Sequence, residues 1–302
     1  MKGKGLQVKE MKRPFVRILV WLGIMAVLTL LMMGVWFVAC GGSQTTASLK
    51  WLQLLQTIGT FLLPPILCAW LWSDNHRPLA WLRLNRGLSW QTALLAILVM
   101  LCAIPGINLL ADLNGRIHLP ECMASLEQTL RAQEDAAAAL TERFLQADNL
   151  TAMLLNVGLL ALLPALAEEL SFRGTLQQVL SPNTQHSTLN LHLAIWTTAF
   201  IFSAIHFQFY GFVPRMLMGA MFGYVFVWTG SLWTPILMHF TNNGVAVVAY
   251  YLMGDAKLGD TWADTIGSGP MWWLGVLSIV LVSGLLYWLR RLNHSDRYSC
   301  SG

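Results

Sequence analysis

The chain has 302 residues, 56% of them hydrophobic and 11% charged, with a mean hydropathy of +0.55 and a net charge of +4. Soluble domains carry about 25% charged residues, and a deficit this large excludes an ordinary globular core. The composition is that of an all-α, polytopic membrane helical bundle, in which each span satisfies its own backbone polar groups.

A spanning helix needs about 20 mostly apolar residues. That length predicts about eight transmembrane helices, at 15–39, 52–72, 92–113, 152–180, 191–209, 213–228, 232–253 and 272–289. The sixth is short and carries Arg215 near its start. The fourth is long enough to project from the membrane. The basic segment 1–14 holds Lys2, Lys4, Lys9, Lys12 and Arg13 against Glu10, with Arg17 just beyond it. Basic residues in short loops mark the cytoplasmic side, so the N-terminus is expected inside. Arg77, Arg83 and Arg86 against Asp74 put the loop after the second span inside as well. Arg290, Arg291 and Arg297 do the same for the tail of the terminal segment 256–302. Both termini are then cytoplasmic, as an even number of spans requires. The net charge follows from this topology and implies no nucleic-acid partner.

The first apolar run far exceeds the core of a cleaved signal peptide. Its end, WFVACGG, faintly resembles a lipoprotein cleavage site at Cys40, although a small-residue helix exit is the plainer reading. The three spans within 15–113 carry no motif. The polar segment 114–150 is acidic and suits the outer side. Leu126, Leu130, Ala137, Leu140, Phe144 and Leu145 fall near helical spacing in it, which predicts one or two amphipathic helices on the outer surface or over the bundle, a surface hairpin being the plainer reading than a substrate-binding lid. Cys40, Cys68, Cys102, Cys122 and Cys300 show no CxxC spacing. Cys40 and Cys122 both lie outside on this topology, and nothing in the sequence requires them to pair.

Segment 151–255 differs from the rest, because polar clusters interrupt its spans. Ionisable residues within spans are functional by default. The first cluster is EELSFR, Glu168 to Arg173. Residues four apart share a helix face, so Glu169 pairs with Arg173. Glu168 lies about 100° around the helix and points to another helix. The second cluster is FSAIH, with Phe202 and His206 on one face. The third is HFTNN, with His239 and Asn243 on one face. One unpaired carboxylate, two imidazoles and an amide from three helices are the parts of a hydrolytic site. A desolvated carboxylate serves as general base, and imidazole and amide N–H groups stabilise an oxyanion. The same carboxylate and imidazoles also form a zinc donor set with an open position. Proton-coupled transport uses these residue types too, but the two halves of the chain show no symmetry of the kind transporters have.

The three motifs, in this order, resemble the CPBP family, also called the ABI family, of CAAX prenyl proteases and bacteriocin-processing and bacteriocin-immunity proteins. The family pattern is EExxxR, FxxxH and HxxxN or HxxxD, and Gly174 and TGSLWTPILMH fit its surroundings. The resemblance implies an intramembrane endopeptidase with its catalytic core at 151–255. It assigns Glu168 as base and His206 as the group that positions the water. It assigns His239 and Asn243 to the oxyanion, with Glu169, Arg173 and Phe202 in support. No cofactor is favoured; zinc held by Glu168, His206 and His239 is the alternative. The expected partners are the lipid bilayer and a membrane-associated peptide or protein substrate, in a bacterial inner membrane. A non-enzymatic scaffold or immunity-type protein of the same family is the competing function. On a straight ladder at about 1.5 Å per residue, Glu168 and His206 stand roughly 10 Å apart in depth. Tilt, a kink after Pro164 or a fifth helix that starts late is needed to bring them together.

Overall fold

In a computed structural model, residues 14–73, 76–181, 188–254 and 262–299 are described. Lys2, Lys4, Lys9, Glu10, Lys12, Arg13, Asp74, His186 and Cys300 lie outside the described residues, as do the side chains of His294 and Arg297. The described part is an all-α bundle. Its long helices are α1 (Pro14–Cys40), α2 (Thr46–Trp72), α3 (Trp90–Gly115), α4 (Ala124–Leu145), α5 (Leu150–Leu180), α6 (Thr188–Ala204), α7 (Phe212–Thr229), α8 (Trp233–Met253) and α9 (Trp272–Ser299). All eight predicted spans are helices at the expected places. Six of them are long and apolar enough to cross a membrane by length and composition, namely α1, α2, α3, α5, α7 and the helix over Gly269–Asn293. The fifth, α6, is the shorter one, and α8, a continuous helix of 21 residues that carries His239, falls outside that set.

Local signals set the ends. Thr45, Ser89 and Asn149 cap α2, α3 and α5 by accepting from Ser48, Thr92 and Ala152 backbone N–H groups. Gly230 ends α7 with φ +67°, a left-handed turn that favours glycine.

Prolines shape the interior of three helices. Proline lacks an N–H and clashes with the carbonyl four residues earlier. The helix widens into a π turn at Thr57–Leu62 before Pro64 and Pro65, and at Val157–Leu162 before Pro164. In each case a neighbouring side chain takes the freed carbonyl. Ser171 Oγ donates to Phe61 O at 2.9 Å. Asn243 Nδ2 donates to Leu160 O at 3.4 Å. Near Pro105 in α3, Ser278 of α9 enters the broken ladder: Gly106 N–H donates to its Oγ at 3.0 Å, and its Oγ donates to Cys102 O at 2.5 Å. Without water in the bilayer, such groups are satisfied only from neighbouring helices.

Two clusters make up much of the core. Leu95, Val99 and Met100 of α3 pack on Phe222 and Val225 of α7, Met238 of α8 and Leu289 of α9. Phe172 and Leu176 of α5 pack on Cys68 and Trp72 of α2, Trp21 of α1 and Phe202 of α6. By contrast α1 is peripheral, with only 6% of its apolar window buried, so most of its surface faces lipid. It docks through Trp36, whose Nε1 donates to Ser48.

The polar segment forms one helix, α4, lying over the bundle. Of its predicted apolar positions only Phe144 and Leu145 are buried, while Leu126 and Leu140 are exposed. Polar contacts hold the rest. Asn156 Nδ2 donates to Leu145 O at 3.0 Å, and Glu134 Oε2 accepts from Tyr210 N–H at 3.1 Å. The Arg131 guanidinium lies 4.1 Å from the Tyr210 ring centre. The Leu119 N–H and Arg131 hold the Glu127 carboxyl down at about 2. Cys40 and Cys122 are both free thiols.

Candidate active site

The three polar clusters are side by side. Glu169 and Arg173 are fully buried and joined at 2.6 Å, Nη1 to Oε1. The same Glu169 oxygen accepts from His239 Nδ1 at 2.9 Å. That second bond extends the sequence reading, in which Arg173 alone occupied Glu169. It orients the ring, and His239 Nε2 stands 4.0 Å from Glu168 Oε2. Glu168 keeps 16% of its side chain exposed where Glu169 keeps none. Adjacent glutamates, turned about 100° apart, thus occupy a dry site and a wetter one.

Aromatic rings enclose this pair. The Arg173 guanidinium carbon lies 4.7 Å from the Phe202 ring centre and 5.3 Å from that of Phe222. Phe222 stacks on His239 at 5.6 Å. Cation–π contact of this kind is strongest when desolvated. Arg173 Nη2 donates to Gly219 O, and Gln177 Nε2 donates to Gly223 O, one turn along both helices. A Cβ on Gly219 would stand 3.2 Å from Phe202, and one on Gly223 2.7 Å from Gln177 Oε1. The two glycines let α7 approach α5 closely enough for its carbonyls to be reached.

His206 departs from the expected helix. It lies past the end of α6 at Ala204, in a turn followed by Phe207 at φ +53°. A non-glycine residue there is strained, and such strain clusters at functional sites. His206 still returns to Phe202, with ring centres 5.2 Å apart and Nδ1 donating to Phe202 O at 2.7 Å. In that tautomer Nε2 carries a lone pair, able to accept from a water O–H. The other edge of Phe202 meets His239, ring centres 6.2 Å apart. Glu168 and His206 do not hydrogen-bond to each other among the described residues. Phe202 and His239 link them, and Arg215 acts electrostatically on both.

Asn243 donates one amide hydrogen to the Leu160 carbonyl that Pro164 frees, and its Oδ1 accepts from Asn242 at 3.1 Å. Among the described residues the second amide hydrogen has no partner. The zinc alternative fits poorly. Among the described residues no three His, Cys, Asp or Glu side chains group as a metal-ligand set. The set Glu168, His206 and His239 is therefore not assembled among the described residues.

Arg215 is the site residue that the motif reading missed. Its only signal was a charge at the start of an otherwise apolar span.

Residues 150–245 match the family model of type II CAAX prenyl endopeptidases, Rce1-like. That stretch starts with α5, ends within α8 and contains all three motifs, so the CPBP likeness is shown over this part of the chain. An uncharacterized protein of Bacillus subtilis (strain 168), YpbD, is 33% identical over 90 residues, which are 28% of this chain and 41% of that protein. The chain therefore matches about two fifths of that relative's length. No solved structure matches.

Proposed function

We propose that this integral membrane protein, Rce1-like over residues 150–245, is an intramembrane endopeptidase in which Glu168 activates water. The observation that carries the reading is the division of labour between two adjacent glutamates. Glu169 is neutralised by Arg173 and fixes His239, while among the described residues Glu168 has no ion-pair partner but His239 at 4.0 Å.

Water sits between Glu168 and His206, giving one proton to the carboxylate as it attacks the scissile carbonyl. General base catalysis of this kind is worth about 10²–10⁴-fold. The oxyanion receives the second amide hydrogen of Asn243 and the Nε2–H of His239. His239 donates there only when Nε2 carries a proton in addition to the one Nδ1 gives to Glu169. Glu168 then returns its proton to the leaving amine. The aromatic enclosure keeps the site at low dielectric, where each of these interactions is stronger than in water. The substrate is a membrane-associated peptide or protein. The setting is a bacterial inner membrane with both termini cytoplasmic.

The test compares membranes from cells producing the wild-type chain with membranes from cells producing Glu168→Gln. New protein N-termini are mapped by mass spectrometry in each. New termini within or beside apolar segments, present only with the wild type, are expected. Identical sets of termini would return the chain to the scaffold reading.

A further inference from the structure

His206 is carried by a turn that its own apolar side chains do not hold. Of residues 204–211 only Tyr210 is buried, at 8% exposure. Ile205, Phe207 and Phe209 all face outward, Phe207 at 80%. Phe207 also has the left-handed φ of +53°, and such strain persists only where the surroundings over-determine it. The ends of the turn are closed by Ser203 Oγ, which donates to Phe212 O at 2.7 Å. Between them, the hold falls on Tyr210, four residues after His206.

Two charged side chains of α4 grip that residue. The Arg131 guanidinium carbon lies 4.1 Å from the Tyr210 ring centre, and Glu134 Oε2 accepts the Tyr210 N–H at 3.1 Å. Positions three apart share a helix face, so ring and backbone are held from one side. The grip is braced in turn. Arg131 Nε donates to Glu127 Oε1 at 2.9 Å and its Nη2 to Ile117 O at 3.3 Å, while Glu127 Oε2 accepts from Leu119 N–H at 2.8 Å. Asn114 of α3 adds a bond to Phe209 O at 3.0 Å. A helix that only covered the bundle would rest on its apolar side chains, yet in α4 only Phe144 and Leu145, at its far end, are buried. Its first half instead places charges on the turn that carries His206.

We propose that Glu134 and Arg131 are positioning residues, which act through Tyr210 to hold the α6–α7 turn and, with it, the His206 ring in the place where its Nε2 accepts from the attacking water. Neither touches the substrate. What His206 does there rests on the endopeptidase reading, and the test reads the turn directly so that the two fail separately.

The full chain in lipid nanodiscs is followed by hydrogen-exchange mass spectrometry, in peptides that cover residues 205–211. In parallel, kcat and KM are measured on a synthetic peptide spanning a cleavage site mapped with the wild-type chain. Glu134→Ala should raise exchange of the turn about tenfold, the scale of one hydrogen bond to a charged acceptor. It should lower kcat by about tenfold or more with KM little changed, because a displaced catalytic group costs rate rather than binding. Arg131→Leu should act in the same direction. Glu134→Gln should restore both quantities, since its amide oxygen still accepts the Tyr210 N–H, and Gln133→Ala, on the exposed face of α4, should alter neither. Unchanged exchange in Glu134→Ala, a rise spread evenly through α6 and α7, failure of Glu134→Gln to restore, or a loosened turn with wild-type kcat overturns the proposal. Loosening confined to the turn, with no cleavage by any form including the wild type, would count against the protease and leave the grip of α4 on the turn standing.

Discussion

Glu168 and Glu169 are chemically identical and one residue apart, yet their surroundings separate them. Glu169 lies in a dry pocket, bonded to Arg173 and His239. Removing one partner of a buried pair leaves an uncompensated charge, at about 3–5 kcal/mol, whereas replacing both by apolar groups is often neutral. Arg173→Met should therefore lower the thermal unfolding midpoint in detergent sharply. The double variant Glu169→Leu/Arg173→Met should recover most of that midpoint but no peptide release, because His239 loses its anchor. Recovery of both would show that Glu169 has only a structural role. The Glu169–Arg173 pair was legible, because i,i+4 spacing is a local rule. The bond from Glu169 to His239 was not, because it depends on how α5 and α8 pack. Arg215 was visible only as a misplaced charge, and the carboxylates that act on it, Glu134 and Glu168, come from segments distant in sequence.

At the scale of the element, proline placement governs the site. Pro164 frees Leu160 O, and Asn243 takes it. With alanine at position 164 a backbone N–H returns and recaptures that carbonyl. Pro164→Ala should leave the thermal midpoint unchanged or raised, because the α5 ladder closes. It should lower kcat by about tenfold or more, because Asn243 loses the contact that positions it. An unchanged kcat would detach Asn243 from Leu160 in function. The helices themselves were legible to within a few residues, because apolar length alone marks a span. The end of α6 was not. The apolar run continues to Phe209, but the helix stops at Ala204, and the strained turn at Phe207 then carries His206 back against Phe202. The π turns were equally unreadable, although the prolines behind two of them were in view.

At the scale of the whole molecule, the site exists because α5, α6, α7 and α8 approach closely. Gly219 and Gly223 set the distance between α5 and α7, and their carbonyls receive Arg173 and Gln177. A Cβ at Gly223 would also stand 2.9 Å from Ile195 of α6. Overpacking of this kind costs roughly 1–3 kcal/mol. Gly223→Ala should therefore lower the thermal midpoint, with a larger loss for Gly223→Leu, while Gly158→Ala, which meets nothing within 4 Å, should be neutral. Equal midpoints for all three would remove close α5–α7 packing from the account. Membrane class and bundle architecture were legible from composition, and the family likeness of residues 150–245 from three short motifs. A helix over the bundle was one of the two placements open for the polar segment, but what holds α4 there was not legible, since polar contacts such as Glu134 to Tyr210 act where an apolar stripe was expected to.

The most direct test of Glu168 as the base is peptide release by the purified chain in liposomes, with wild type and Glu168→Gln each measured with and without a zinc chelator. The expected result is release by the wild type, undiminished by the chelator, and a loss of about 10²–10⁴-fold in the variant. Release by Glu168→Gln at the wild-type rate, or release by the wild type that the chelator abolishes, would contradict it.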